Sequence, residues 1–91
     1  MNLIVKEFKP ATYKETLKGF AVVEFLGLGL EIRDLAYHET EGNSWFQLPA
    51  KPFAKANGKR GWNYLVAFKN RTFLNEFQES AKKALKAFLE K

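Results

Sequence analysis

Between Ala50 and Arg71 the sequence places six cations and no acid: Lys51, Lys55, Lys59, Arg60, Lys69 and Arg71. Aromatic residues run through the same stretch and just ahead of it, at Trp45, Phe46, Phe53, Trp62 and Tyr64. Lysine and arginine side chains meet phosphates, and flat rings stack on unpaired bases at roughly 1–3 kcal/mol per base. The combination therefore suits a single-stranded polyanion, with Lys51, Lys55, Lys59, Arg60, Lys69 and Arg71 on phosphates and Trp45, Phe53, Trp62 and Tyr64 as stacking surfaces. Such a surface reads sequence weakly, because every base has a π face. Two plainer readings fit the same residues. Lysines keep a loop solvated, and small β-rich domains use Phe and Trp as core. Phe46, Val66 and Phe68 suit a core or a subunit interface; Trp45, Phe53, Trp62 and Tyr64 suit either role. Duplex DNA fits less well, since no helix carries paired Arg, Asn or Gln for base edges in the major groove.

Other chemistry is poorly provided for. His38 is the only histidine and there is no cysteine, which argues against a transition-metal site and against thiol catalysis. His38, beside Glu39 and Glu41, reads as a surface residue. Ser44 and Ser80 lack a base. Gly27-Leu28-Gly29 has neither the third glycine nor the following helix of a dinucleotide fingerprint. Glu31 and Asp34 are three apart in a strand and do not form an acid pair by spacing. The expectation is a non-enzymatic binding domain with no metal and no cofactor.

The elements that must position these residues come from one domain, residues 1–91. Hydrophobic residues at 46% and charged residues at 27% allow a modest core. The net charge of +5 is uneven: residues 31–41 carry Glu31, Asp34, Glu39 and Glu41 against Arg33. No apolar run approaches a membrane span, and the N-terminus lacks a signal peptide's long apolar stretch. The lack of cysteine permits a reducing compartment, so a cytoplasmic setting without membrane contact is expected.

An apolar, β-branched run predicts a strand over Leu3–Phe8, period-two alternation predicts strands over Leu17–Phe25, a segment from Leu28 to Tyr37 and Trp62–Phe68, and Trp45–Leu48 reads as a short aromatic strand closed by Pro49. In the third, the apolar phase slips by one after Asp34, which predicts a bulge near Arg33-Asp34. Asn57-Gly58 is a tight-turn signal, and the last two strands read as one long hairpin from Trp45 to Phe68. Phe73, Phe77, Ala81, Ala84, Leu85 and Phe88 recur at helical spacing over about Thr72 to Leu89, with Asn70 or Thr72 as the cap. The fold class is α+β: an antiparallel sheet of four to five strands with one long C-terminal helix packed on one face. The other face, rich in aromatics, needs a second cover, and a homodimer is the simplest.

Leu30-Glu31-Ile32-Arg33-Asp34-Leu35, the turn at Glu41-Gly42-Asn43, then Trp45-Phe46-Gln47-Leu48-Pro49-Ala50-Lys51 and the Asn57-Gly58-Lys59 turn form a recognisable pattern over about residues 17–85. It resembles the bacterial septation regulator SpoVG family and related small phage and prophage proteins. The resemblance implies a sheet plus helix, a homodimer, and nucleic-acid binding without strong sequence demand. Ala50 stands where that family usually has serine, and Asn57-Gly58-Lys59-Arg60 is basic where the family is commonly acidic. Both departures favour polyanion binding over the septation role. The order of strands followed by one long helix is also similar to the dimeric single-strand-binding fold of the eukaryotic positive transcription coactivator. The expected partners are single-stranded nucleic acid, DNA ahead of RNA, and a second copy of the chain. The resemblance suggests a phage or mobile-element setting. The rival expectation is a small regulator or inhibitor whose basic hairpin docks on an acidic host protein.

Overall fold

The structure, a computed structural model, describes residues 1–11 and 16–90. Lys14 and Glu15, which contribute to the charge near the N-terminus, lie outside the described residues. Four strands, β1 (Leu3–Pro10), β2 (Leu17–Phe25), β3 (Leu30–Thr40) and β4 (Asn43–Gln47), form an antiparallel sheet in sequence order. Strands β5 (Ala50–Ala54) and β6 (Arg60–Tyr64) form a separate two-stranded sheet, and helix α1 (Arg71–Leu89) closes the chain.

Alternation decides which face of the sheet is buried. Leu17, Gly19, Ala21, Val23 and Phe25 point inward from β2, while Lys18, Phe20, Val22 and Glu24 point to the other side. Helix α1 lays Phe77, Ala81 and Leu85 on the inward face, against Leu3, Val5, Ile32, Leu35, Phe46 and Leu48. Each large side chain buried this way contributes about 1.5–3 kcal/mol. Phe73 falls outside the stripe and is exposed, and Leu74 packs against the core instead. Each four-residue step overshoots a full helical turn, so Phe73 drifts to the margin of the apolar face. Asn70 is the cap: its Oδ1 accepts from the backbone N–H of Thr72 at 2.8 Å and of Phe73 at 3.3 Å.

The phase slip in β3 is a bulge. Ala21 pairs with Leu35 and Val23 with Ile32, so Arg33 and Asp34 together oppose Val22. Asp34 takes φ 59°, a left-handed conformation that Asp and Asn tolerate better than most residues. The extra residue lets Ile32 and Leu35 both point into the core. At Gly19 the strands approach closely, and a Cβ there would stand 2.5 Å from the Lys9 carbonyl oxygen.

The expected long hairpin from Trp45 to Phe68 is not formed. β4 pairs with β3 instead, Tyr37 opposite Phe46 and His38 opposite Trp45. After Leu48 the chain leaves the four-stranded sheet at Pro49, whose nitrogen has no hydrogen for a ladder. β5 and β6 then pair with each other, and the Leu65 N–H donates to the Pro49 carbonyl at 2.8 Å to close the base. The expected fifth strand ends at Tyr64, not Phe68. Val66 and Phe68 turn back to the core, the Phe68 ring 5.2 Å from that of Phe77. At the tip, Gly58 takes φ 81° and the Asn57 side chain accepts from the Lys59 N–H at 3.0 Å.

Strand β4 is an edge, and Gln78 of α1 occupies it. The Phe46 N–H donates to Gln78 Oε1 at 2.8 Å, and Gln78 Nε2 donates to the Phe46 carbonyl at 2.7 Å. One amide side chain thereby stands in for a fifth strand at that residue and obstructs edge-to-edge pairing. On the buried face, burial raises the pKa of the Tyr37 phenol, and Glu39, which accepts its O–H at 3.2 Å, raises it further while Ser44 opposes. A proton held more firmly in the folded state gives stability that is present below the ordinary phenol pKa and lost as pH rises through the folded one. Tyr37→Phe is therefore expected to flatten the alkaline fall in stability, measured by urea unfolding across that range. Gln78→Ala leaves both Phe46 groups unpaired and is expected to cost about 1–3 kcal/mol. A lowered urea midpoint at constant slope is the readout; an unchanged midpoint would show that the edge is satisfied without Gln78.

Candidate functional site

The register of β5 and β6 decides where the hairpin side chains point. Ala50 lies opposite Tyr64, Pro52 opposite Trp62 and Ala54 opposite Arg60, so these six residues share one face. Lys51, Phe53, Gly61 and Asn63 share the other. Trp62 and Tyr64 are 48% and 56% exposed, side by side on their face. Phe53 is set apart from them. Its ring lies over Gly61, where an added Cβ would meet Phe53 Cζ at 2.5 Å, with the Lys55 stem beside it at 2.9 Å. Phe53 is thus a contact between the hairpin arms, although it remains 39% exposed.

Trp45 sits on β4, half-buried, stacked on His38 with ring centroids 5.3 Å apart and planes 7° apart. His38 is half-buried rather than a free surface residue. Its Nδ1 is 2.9 Å from Thr16 Oγ1 and its Nε2 is 3.3 Å from Gln47 Oε1. Gln47 Oε1 can only accept, whereas the Thr16 hydroxyl can donate to or accept from Nδ1.

Two cavities meet at this point. One, of about 620 Å³, lies among Trp45, Tyr64, Phe68, Leu74 and Gln78. The other, of about 460 Å³, lies between Lys51 and Trp62 of the hairpin and Phe20 and Ala36 of the outer sheet face, with Asp34 in its wall. Both are lined by His38, Gln47 and Leu48. Three of the four expected stacking residues, Trp45, Trp62 and Tyr64, therefore border this pair of cavities, and Phe53 does not. Part of the outer sheet face is approached by the chain's own hairpin.

The six expected phosphate-binding cations fall into two groups. Lys51, Lys55, Lys59 and Arg60 are on the hairpin, and Lys69 and Arg71 flank the Asn70 cap of α1. All six are exposed. The ion pairs among the described residues are Lys6–Glu24, Lys9–Glu7, Arg33–Glu31 and Lys82–Glu79, and they use none of the six. The first turn of α1 carries no acid, so Lys69 and Arg71 face the positive end of the helix dipole. That placement is unfavourable by about 0.3–1 kcal/mol per charge, and an anion there would relieve it. Among the described residues no group of three or more His, Asp or Glu side chains could hold a metal ion, and no helix is long and apolar enough to cross a membrane.

Compared with known proteins, the chain matches no family model, no curated protein and no solved structure. Sequence reasoning passed over Thr16, Phe20, Asp34 and Gln47 as site residues. The phase slip at Asp34 was the one local sign available, since the others meet only through strand pairing.

The Phe53 contact makes a comparison of two glycines informative. Gly61→Ala is expected to cost less stability than Gly19→Ala in urea unfolding. At Gly61 the obstacles are side-chain ends that can swing away, whereas at Gly19 a backbone carbonyl cannot. The reverse order would contradict the placement of Phe53 over Gly61.

Proposed function

We propose that this chain is a non-enzymatic, weakly sequence-specific binder of single-stranded nucleic acid, DNA in the first instance, acting as a homodimer. The observation that carries the reading is the hairpin. Four exposed cations without ion-pair partners among the described residues stand on the same small element as exposed Trp62 and Tyr64. Unneutralised cations can neutralise phosphates and release their condensed counterions, and adjacent rings offer stacking to unpaired bases. Stacking needs bases out of a duplex, which favours the single strand. A phage or mobile-element role in replication, recombination or transcription follows the SpoVG-like pattern of the sequence. The homodimer has support in Leu28 and Leu30, 75% and 49% exposed, which with Met1 and Leu26 border an apolar cavity of about 390 Å³ that a second copy would cover.

Two variants separate the two halves of the reading. Lys59→Glu with Arg60→Glu is expected to weaken binding of a fluorescent dT oligonucleotide strongly and to reduce the salt slope, because fewer counterions are released. Trp62→Ala is expected to cost about 1–3 kcal/mol of affinity with the salt slope unchanged. Retention of wild-type affinity by both folded variants would remove the hairpin from the site. Recovery of one acidic host protein in stoichiometric amount after nuclease treatment, with no oligonucleotide binding, would replace this reading with the regulator.

A further inference from the structure

We infer that the cleft between the hairpin and the outer sheet face takes one base of the bound strand, and that the preferred base is guanine. The inference rests on the single-strand reading above and deepens it. The cleft, about 460 Å³, has the size of small-ligand sites, which run from roughly 300 to 1,000 Å³. Phe20 from β2 and Trp62 from β6 supply aromatic surface from two separate elements.

The polar groups in the wall then choose among bases. Asp34 makes no hydrogen bond and no ion pair among the described residues; the neighbouring Arg33 is taken by Glu31 at 2.8 Å. Its ionised carboxylate can only accept, with two oxygens. Gln47 Oε1 lies on the His38 side, 3.3 Å from Nε2, so the Gln47 amide N–H groups are left to donate. Lys51 stands in the same lining, available to a phosphate.

A lone carboxylate on a phosphate-binding surface repels the ligand unless it meets donors. Guanine alone offers two adjacent donors on one edge, N1–H and the N2 amino group, next to the O6 acceptor. The two Asp34 oxygens can take both donors while Gln47 donates to O6. Adenine, cytosine and thymine each present one donor site on that edge and leave one carboxylate oxygen unmet. The β3 bulge is what sets this up: it turns Asp34 out of the strand's alternation, at φ 59°, into the wall of the cleft.

The test is fluorescence anisotropy with four labelled strands: dT throughout, and the same strand with one central dG, dA or dC. Wild-type protein is expected to bind the dG strand roughly tenfold more tightly than the others, the size of a good bidentate base contact. Asp34→Asn keeps a residue that tolerates the left-handed backbone, with circular dichroism confirming the fold. It is expected to bind the dT strand at least as well as wild type and to lose the dG preference. Equal wild-type affinity for dG and dT strands overturns the guanine cleft while the single-strand reading stands. Equal gains for dG and dA would mean purine stacking without edge recognition and also overturn it. Failure to bind any strand overturns both.

Discussion

One helix can bury only one face of a four-stranded sheet, and the rest of this structure follows from that limit. The strict alternation of β2 sends Ala21, Val23 and Phe25 to the helix and Phe20, Val22 and Glu24 to the far side. The bulge in β3 keeps Ile32 and Leu35 on the helix side despite a slipped sequence phase. Gln78 closes the exposed edge of β4 from the helix itself. The far face is left with half-buried aromatics, and it is there that His38 stacks on Trp45 and the hairpin approaches.

The hairpin is built differently from the body. Its two strands pair only with each other, and every hairpin residue but Ala50 and Gly61 is exposed. A core function would need the opposite. Among the described residues these cations have no acid partner, so their charge is available to an outside anion. No acid lies on the hairpin itself, which sets it apart as an all-basic element although Asp34 of β3 lines the adjoining cleft. This basic element, with Trp62 and Tyr64 on one hairpin face and Trp45 and Tyr64 on a shared cavity, underlies the proposed single-strand binding.

Much of this was legible in local pattern. An apolar β-branched run revealed β1, period two revealed β2 and the bulge in β3, and Asn57-Gly58 marked the hairpin tip, because each depends on residues a few positions apart. The helix was equally plain, apart from Phe73, where four-residue spacing imitates a stripe that a real helix rotates away from. What failed needed strand partners. Trp62 to Phe68 alternates continuously, and alternation is identical whether a residue joins a ladder or packs on a helix, as Val66 and Phe68 do. β4 lies near both β3 and β5 in sequence; its ladder runs to β3, Gln78 takes its other edge, and Pro49 ends it before β5. Phe53 resembles Trp62 and Tyr64 in type, yet hairpin register puts it on the opposite face. His38 beside two glutamates looks like surface until β3 and β4 pair it with Trp45.

The most direct test is intrinsic tryptophan fluorescence of the whole chain, titrated with a dT strand and with a duplex of equal length at several salt concentrations. Trp45 and Trp62 are the only tryptophans, and both border the proposed site. The account predicts saturable quenching by the single strand that weakens log-linearly with salt, and weaker binding of the duplex. Equal affinity for strand and duplex, or no response at low salt, would contradict it.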